Sequence, residues 1–272
     1  ICIFVNVILN IIFAFGWGII PEMGAKGLAI SSLITRYFMG FVLFWYCFKR
    51  IKIQHHKDGG FYKDLLKVGT PSSLAVVIEF IGFNATTVIL GRISGIYAAA
   101  QNIVCTLTSV SFMIPFAISN ATAVKVGFAN GAKYYKSLKT YAYTGILMAV
   151  AFMTCSAIVV GTIPEFLVSL FTNDAELVKV CIPIVFALCF FQIFDGMQVA
   201  LAGIFRGIKQ TGVVMLANFI AYWLVSIPLG YFLGFHCHMN LLGFWFGLVT
   251  AAIVLCSIMF TTMLVRFKKM GE

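Results

Sequence analysis

The sequence predicts an all-α, polytopic transmembrane helical bundle. The chain is 61% hydrophobic and 10% charged, with a mean hydropathy of +1.01, where a soluble domain of similar size carries about a quarter charged residues. Apolar runs of roughly the 20 residues needed to cross a bilayer recur along its length. Its basic residues cluster on alternate sides of those runs.

Eight spans are expected, at about 1–20, 27–48, 69–90, 98–122, 139–162, 180–204, 211–233 and 243–265. The first begins on an apolar residue, with no Met, no basic leader and no cleavage site, so further chain is expected upstream. The second ends on Lys49-Arg50. The connection from Lys49 to Lys67 mixes charges with Gly59-Gly60 and an amphipathic stretch, Phe61 to Lys67. A short helix in the membrane interface, joining two bundles, fits that pattern. The expected organisation is thus residues 1–48 as the last two helices of one lobe, 49–68 as a cytoplasmic linker and 69–272 as a six-helix lobe. Spans three, four, six and seven carry Pro71, Pro115, Pro183 and Pro228 in or near them, where proline kinks a helix or opens its end. The eighth ends in Arg266, Lys268 and Lys269.

The formal net charge of +10 invites a nucleic-acid reading, but the placement of the charges excludes it. Fifteen of the 19 Lys and Arg follow even-numbered spans and precede odd ones, against three on the opposite side (Lys26, Arg92 and Lys179). This is the positive-inside asymmetry of a membrane protein, and it sets the C-terminus in the cytoplasm of an inner-membrane protein. Arg36 lies within the second span, free to pair with an acid or to snorkel. Most of the cysteines fall in apolar runs, where Cys behaves as a small hydrophobe. His236-Cys237-His238 could bind a metal, but three adjacent residues wrap a tetrahedral ion poorly, and a plain loop is the simpler reading. His55-His56 reads as a solvated turn.

The first and last pairs of spans share a weak repeat. Asn6 is followed by Gly27 to Thr35 and a basic end, and Asn218 by Gly243 to Thr250 and a basic end. Parallel repeats of this kind are a transporter architecture and imply two six-helix units in the whole protein.

Seven of nine acidic residues fall in loops or at ends; Glu79 and Asp195 fall deep in apolar spans. A charge at the bilayer centre costs about 2.5–3.5 kcal/mol on insertion scales, so such residues usually face a cavity or mark an ion path. Gln192, Asp195 and Gln198 form one polar stripe, and Ser72, Glu79 and Thr86 another. Protonated acids bonding neighbouring helices are the structural alternative. Asn6 and Asn10, at i and i+4, share a face and could help hold a small cation, with Ser31 or Ser32 as hydroxyl partners from the next helix. Interhelical hydrogen bonding is the alternative there too.

Three runs of motifs stand out: Lys67-Val68-Gly69-Thr70-Pro71 before Glu79; Ala98 to Gln101, Ser111 to Pro115, Val124 to Gly127 and Asn130 to Ala132; then Gln192 and Asp195 leading to Ala202 to Gly207, Asn218, Tyr222-Trp223 and Pro228 to Tyr231. As a set they resemble the multidrug and toxic compound extrusion (MATE) family, in its NorM-type branch. The resemblance covers roughly the last eight of that family's twelve helices. It implies proton- or sodium-driven export of cationic amphipathic compounds through a cavity between two six-helix lobes. By that resemblance Glu79 and Asp195 match the acidic pair of the C-terminal lobe. Asn6, Asn10 and Ser32 match the polar cation site of the N-terminal lobe, Ser32 in place of a Thr. Phe191 stands where the family has an aromatic hydroxyl.

The expected substrate and cation residues are therefore Glu79, Asp195, Gln192, Gln198, Asn6, Asn10 and Ser32. Na+ is expected at Glu79 and Asp195 or at Asn6 and Asn10. Phe80, Phe83, Phe191 and Phe194 are the expected aromatic wall for a planar cation. A carboxyl group in apolar surroundings takes up a proton, a bound cation or a cationic ligand, but not all at once, and that competition would couple two fluxes. No cofactor is expected beyond the coupling ion, H+ or Na+; no enzyme activity is expected. The expected partners are the bilayer and small organic cations, with no nucleic acid, acting on a monomer. A lipid or lipid-linked oligosaccharide flippase is the first rival, though an anionic cargo calls for Arg and Lys in the cavity. An integral membrane transferase is the second, though it calls for clustered acids or a His-Asp pair near the surface.

Overall fold

The structure, a computed structural model, describes residues 2–16, 21–50 and 60–270. Among them every regular element is helical. The chain divides into two compact units, residues 1–59 and 60–272.

The first unit is a helix pair, α1 (Cys2–Phe15) and α2 (Gly24–Arg50). Gly27 permits the pairing: a side chain there would drive into the Phe13 carbonyl on α1. At 14 residues α1 rises about 21 Å, short of the roughly 30 Å apolar core that the sequence reading assigned to residues 1–20.

The second unit holds α3 (Phe61–Ile93), α4 (Gly95–Gly131), α5 (Tyr135–Thr162), a short α6 (Pro164–Ser169), α7 (Ala175–Gly207), α8 (Thr211–His236) and α9 (Asn240–Lys269). Seven helices of the described chain, α2 among them, are long and apolar enough to cross a membrane. The protein is a multi-pass membrane protein. The amphipathic stretch from Phe61 to Lys67 is no separate surface helix: it forms the first turns of α3, which runs unbroken through Pro71. The expected turn at His55-His56 and residues 51–59 of the expected linker lie outside the described residues.

Helix α7 is the hub, packed against α4, α5, α8 and α9. Its small residues permit this. A side chain at Gly196 would strike Met153 and Ala149 on α5, at Gly203 the Ser119 carbonyl on α4, and at Gly207 Val126 and the Ala123 carbonyl on α4. Leu188, Leu201, Ile204 and Phe205 fill the space between, with Trp245, Phe244 and Leu248 of α9, all essentially inaccessible.

Helix α8 is wound unevenly. Thr211–Asn218 is α-helical, Phe219–Ser226 and Phe232–His236 are π-helical, and Ile227–Tyr231 between them is α-helical. Pro228 supplies a cause, since its ring removes one backbone donor and crowds the carbonyl four residues earlier, and the wider turn relieves both. Gly243 and Gly247 bring α9 against the backbone of α8 near Gly234 and Gly230. The glycine at Gly243 thus serves its helix pair as Gly27 serves α1 and α2.

The turns after α4 and α7 are near copies. Lys133 and Lys209 each take φ of 58°. Tyr134 and Gln210 each donate a backbone bond five residues back, to Ala129 and Phe205, both at 2.9 Å. Glycine usually holds that left-handed position. Thr211 Oγ1 donates to the Val68 carbonyl at 2.8 Å, and Gly127 lies against Gly207, so the start of α3, the end of α4 and the turn into α8 share one end of the unit. Phe267 packs edge-on to Tyr143 (6.1 Å), setting the end of α9 beside the first turns of α5. The basic residues of the second unit, Arg92 and Lys179 excepted, therefore gather at one end.

Candidate functional site

A cavity of about 560 Å³ opens within the second unit, walled by α3, α4, α7 and α8. Each helix contributes polar groups at its depth: Ser72 and Glu79 from α3, Asn102 and Thr108 from α4, Asp195 and Gln198 from α7, and Asn218 and Tyr222 from α8. Both intramembrane acids thus face one space, although they lie on helices far apart in sequence.

Glu79 is held in a frame of neutral donors. Gln198 Nε2 donates to its Oε1 at 2.9 Å and Asn218 Nδ2 to its Oε2 at 3.1 Å. The Tyr222 hydroxyl donates to Oε1 at 3.4 Å and accepts from Gln198 Nε2 at 3.4 Å. Asn218 Nδ2 also reaches the Ala75 carbonyl at 3.1 Å. Gln198, Asn218 and Tyr222 are each at most 3% exposed. Gln198 comes from α7 and the other two from α8, where Asn218 ends the α-helical part and Tyr222 lies four residues on, in the wider winding. Four residues make close to one full turn in either winding, so both side chains face α3. Gly82 on α3 admits the ring, since a side chain there would sit 2.8 Å from Tyr222 Cβ.

Asp195 lines the cavity at 4% exposure and makes no hydrogen bond to a described residue. Two amide oxygens beside the acids, Gln198 Oε1 and Asn218 Oδ1, are buried without a donor. Buried polar atoms ordinarily find partners, so these unpaired oxygens mark a place suited to a proton donor or a small hard cation.

At one end of the cavity Phe83 and Phe191 meet Trp245. The Trp245 ring stands edge-on to both, at 6.4 Å and 5.9 Å, and its Nε1 donates to Gln101 Oε1 at 2.9 Å. Phe80 also lines the cavity. At the other end Arg206 lines it, beyond Val199 and Ala202.

Other expected members are placed elsewhere. Gln192 turns toward α5, where its Oε1 accepts from Ser156 Oγ at 3.0 Å. Phe194 packs into the core, and its carbonyl accepts from Cys256 Sγ at 3.1 Å. Neither lines the cavity. Thr86 is buried away from it, while Ser72 lines it. In the first unit Ser32 is exposed and Ser31 is the partner. Asn6 Nδ2 donates to Thr35 Oγ1 at 3.2 Å, Asn10 Nδ2 to Asn6 Oδ1 at 3.1 Å and Ser31 Oγ to Asn10 Oδ1, a closed interhelical network. Arg36 lies exposed on α2. No group of three His, Cys, Asp or Glu among the described residues is placed to hold a metal; His236 stacks on Phe232 at 5.4 Å. Asn218 and Tyr222 are the site members that residue-by-residue reading missed. The sequence signal for them was their place beside Pro228 in a motif run.

The MatE family profile matches residues 71–232. A probable multidrug resistance protein NorM of Photorhabdus laumondii is 31% identical over 97% of this chain and 61% of its own length. Another, of Bacillus subtilis, is 27% identical over 90% of this chain and 56% of its own length. The chain thus spans somewhat over half the length of these curated relatives. Among solved structures, the eukaryotic MATE transporter AtDTX14 superposes with a TM-score of 0.88 over 99% of this chain and 61% of that one, at 21% identity. An outward-facing multidrug resistance MATE family transporter also gives 0.88, over 100% and 61%, at 19% identity. At these identities the structural likeness concerns the fold alone.

Proposed function

The chain belongs to the MATE family, and from that premise we propose that it forms the C-terminal part of a cation-coupled antiporter that exports cationic amphipathic compounds. The observation that carries the reading is the convergence of Glu79 and Asp195 on one cavity, with Phe80, Phe83 and Phe191 in its walls. Two carboxylates in an apolar space suit a cation, and the ring faces suit an organic one. The coupling ion, H+ or Na+, binds at the same carboxylates. The unpaired oxygens of Gln198 and Asn218 support this: a protonated acid could donate to one of them, and Na+ could take both as ligands. Asn6 and Asn10 form the second polar site of the transport path, with Ser31 replacing Ser32 as its hydroxyl member.

Substrate and ion then exclude one another. An ion arriving from one side neutralises the acids and releases the cationic cargo; loss of the ion to the other side restores them. Alternating access between lobes turns this competition into exchange. The basic end of the six-helix unit supports a cytoplasmic-membrane protein with its C-terminus inside.

The test is uptake of an organic cation dye into inside-out vesicles carrying the protein, under an imposed proton or sodium gradient. Uptake that follows one gradient and collapses with an ionophore is expected. Equal dye movement with and without either gradient would overturn the antiport reading.

A further inference from the structure

We infer that Arg206 forms an anion-binding end of the same cavity, so that the preferred ligand is amphoteric: a cationic centre at one end and a carboxylate-like group at the other. This deepens the transporter reading above and rests on it.

Arg206 lines the cavity together with Glu79 and Asp195. Its Nη2 donates to Ser119 Oγ at 2.9 Å and to Asn120 Oδ1 at 3.4 Å, and Ser119 Oγ in turn donates to the Val199 carbonyl at 2.6 Å. All these partners are neutral. No carboxylate among the described residues pairs with the guanidinium, and its Nε is buried with no acceptor at all. A partly buried cation with only neutral partners has unused capacity for an anion. The guanidinium fork matches a carboxylate through two parallel bonds, and Ser119 and Asn120 already hold one arm of it in place.

The spacing sets the ligand's length. Asp195 and Arg206 stand on the same helix eleven residues apart, about 16 Å along its axis. Side chains on a helix lean toward its N-terminus, which brings the guanidinium back toward Asp195. Between the poles the wall is apolar, with Val199, Ala202 and Val214. Arg206 also belongs to the basic end of the bundle, but orientation alone calls for neither a lining position nor a hydroxyl clamp.

The experiment measures binding to the purified, reconstituted protein of two probes that differ in one charge: ω-trimethylammonio undecanoate and its methyl ester. The zwitterion is expected to bind about tenfold tighter than the ester, the worth of one charge-assisted pair. Arg206→Gln should bring that ratio close to one, and Arg206→Lys, which keeps charge but not the fork, should leave it in between. Should Arg206→Gln fail to fold, a length series on the unaltered protein decides: trimethylammonio acetate, too short to span the poles, should show no advantage over its own ester. An ester that binds with no preference for the long zwitterion overturns this inference alone, as does a ratio unchanged in Arg206→Gln or an equal preference at every length. Failure of both long probes to bind overturns the transporter reading, and this inference with it.

Discussion

Gln198 and Glu79, 119 residues apart in the chain, are joined by a 2.9 Å hydrogen bond from Gln198 Nε2 to Glu79 Oε1. The bond ties α7 to α3 at the centre of the cavity and sets the outcome of changing either acid. In Glu79→Gln the new amide meets two donor amides, but Gln198 can rotate to present its unpaired oxygen. Asp195→Asn disturbs no hydrogen bond. Both variants should express and melt near the unaltered protein, because removing a mid-membrane charge relieves an insertion cost. Ion-driven dye transport should fall at least about tenfold in each, since an amide neither takes up a proton reversibly nor balances a cation. Near-normal transport in both would show that the acids serve packing.

Tyr222→Phe removes the hydroxyl shared by Glu79 and Gln198 and leaves the shorter Gln198–Glu79 bond intact. A stability loss of about 1 kcal/mol is expected, the worth of an ordinary hydrogen bond. The half-saturating concentration of the coupling ion should rise severalfold while maximal transport changes less. An unaltered ion dependence would remove Tyr222 from the ion site.

Gly203→Ala forces a methyl group into the Ser119 carbonyl on α4. Overpacking of this kind costs typically about 1–3 kcal/mol, and a rigid backbone neighbour puts this site at the upper end. Gly69→Ala, with nothing within 4 Å, is the control; it should gain about 0.5–1 kcal/mol through helix propensity. Thermal melting of detergent-solubilised protein separates the two.

Lys133→Gly and Lys209→Gly replace side chains in left-handed backbone at the two matching turns. Each should raise stability by a few tenths to about 1 kcal/mol, as glycine carries no penalty at that φ. Any loss of stability would mean that the lysine side chains hold the turns themselves.

A reporter fused after Lys269 should read cytoplasmic, and one placed in the loop at 237–239, between α8 and α9, external. The reverse pattern would invert the transport direction assigned above.

Sequence periodicity located the long helices because each carries an apolar run of spanning length. It failed where one residue of rotation decides. Ser31 and Ser32 differ by about 100° on a helix, and only contact with α1 selects between them. Gln192, Asp195 and Gln198 read as one stripe, yet they spread over about a third of the circumference. A helix packed against four others sends different parts of such a stripe to different neighbours, and Gln192 goes to α5. Phe194 left the aromatic wall for the same reason. The frame around Glu79 was legible only in part: Gln198 on α7 was expected, but Asn218 and Tyr222 come from α8, whose approach to α3 no periodicity within one helix discloses.

That winding has a mechanical consequence. The α4–α5–α7 face is locked by glycine contacts at Gly196, Gly203 and Gly207, where even a methyl group finds no room. Sliding or twisting there would drive backbone into backbone, so that face acts as a strut. Helix α8 holds slack: its π turns can tighten to α turns and rotate what precedes them without unfolding the helix. The compliant member of the unit is therefore the one that carries Asn218 and Tyr222. When the charge on Glu79 changes, the neighbours best able to yield, Asn218 and Tyr222, are already bonded to it, while Gln198 on α7 holds its place.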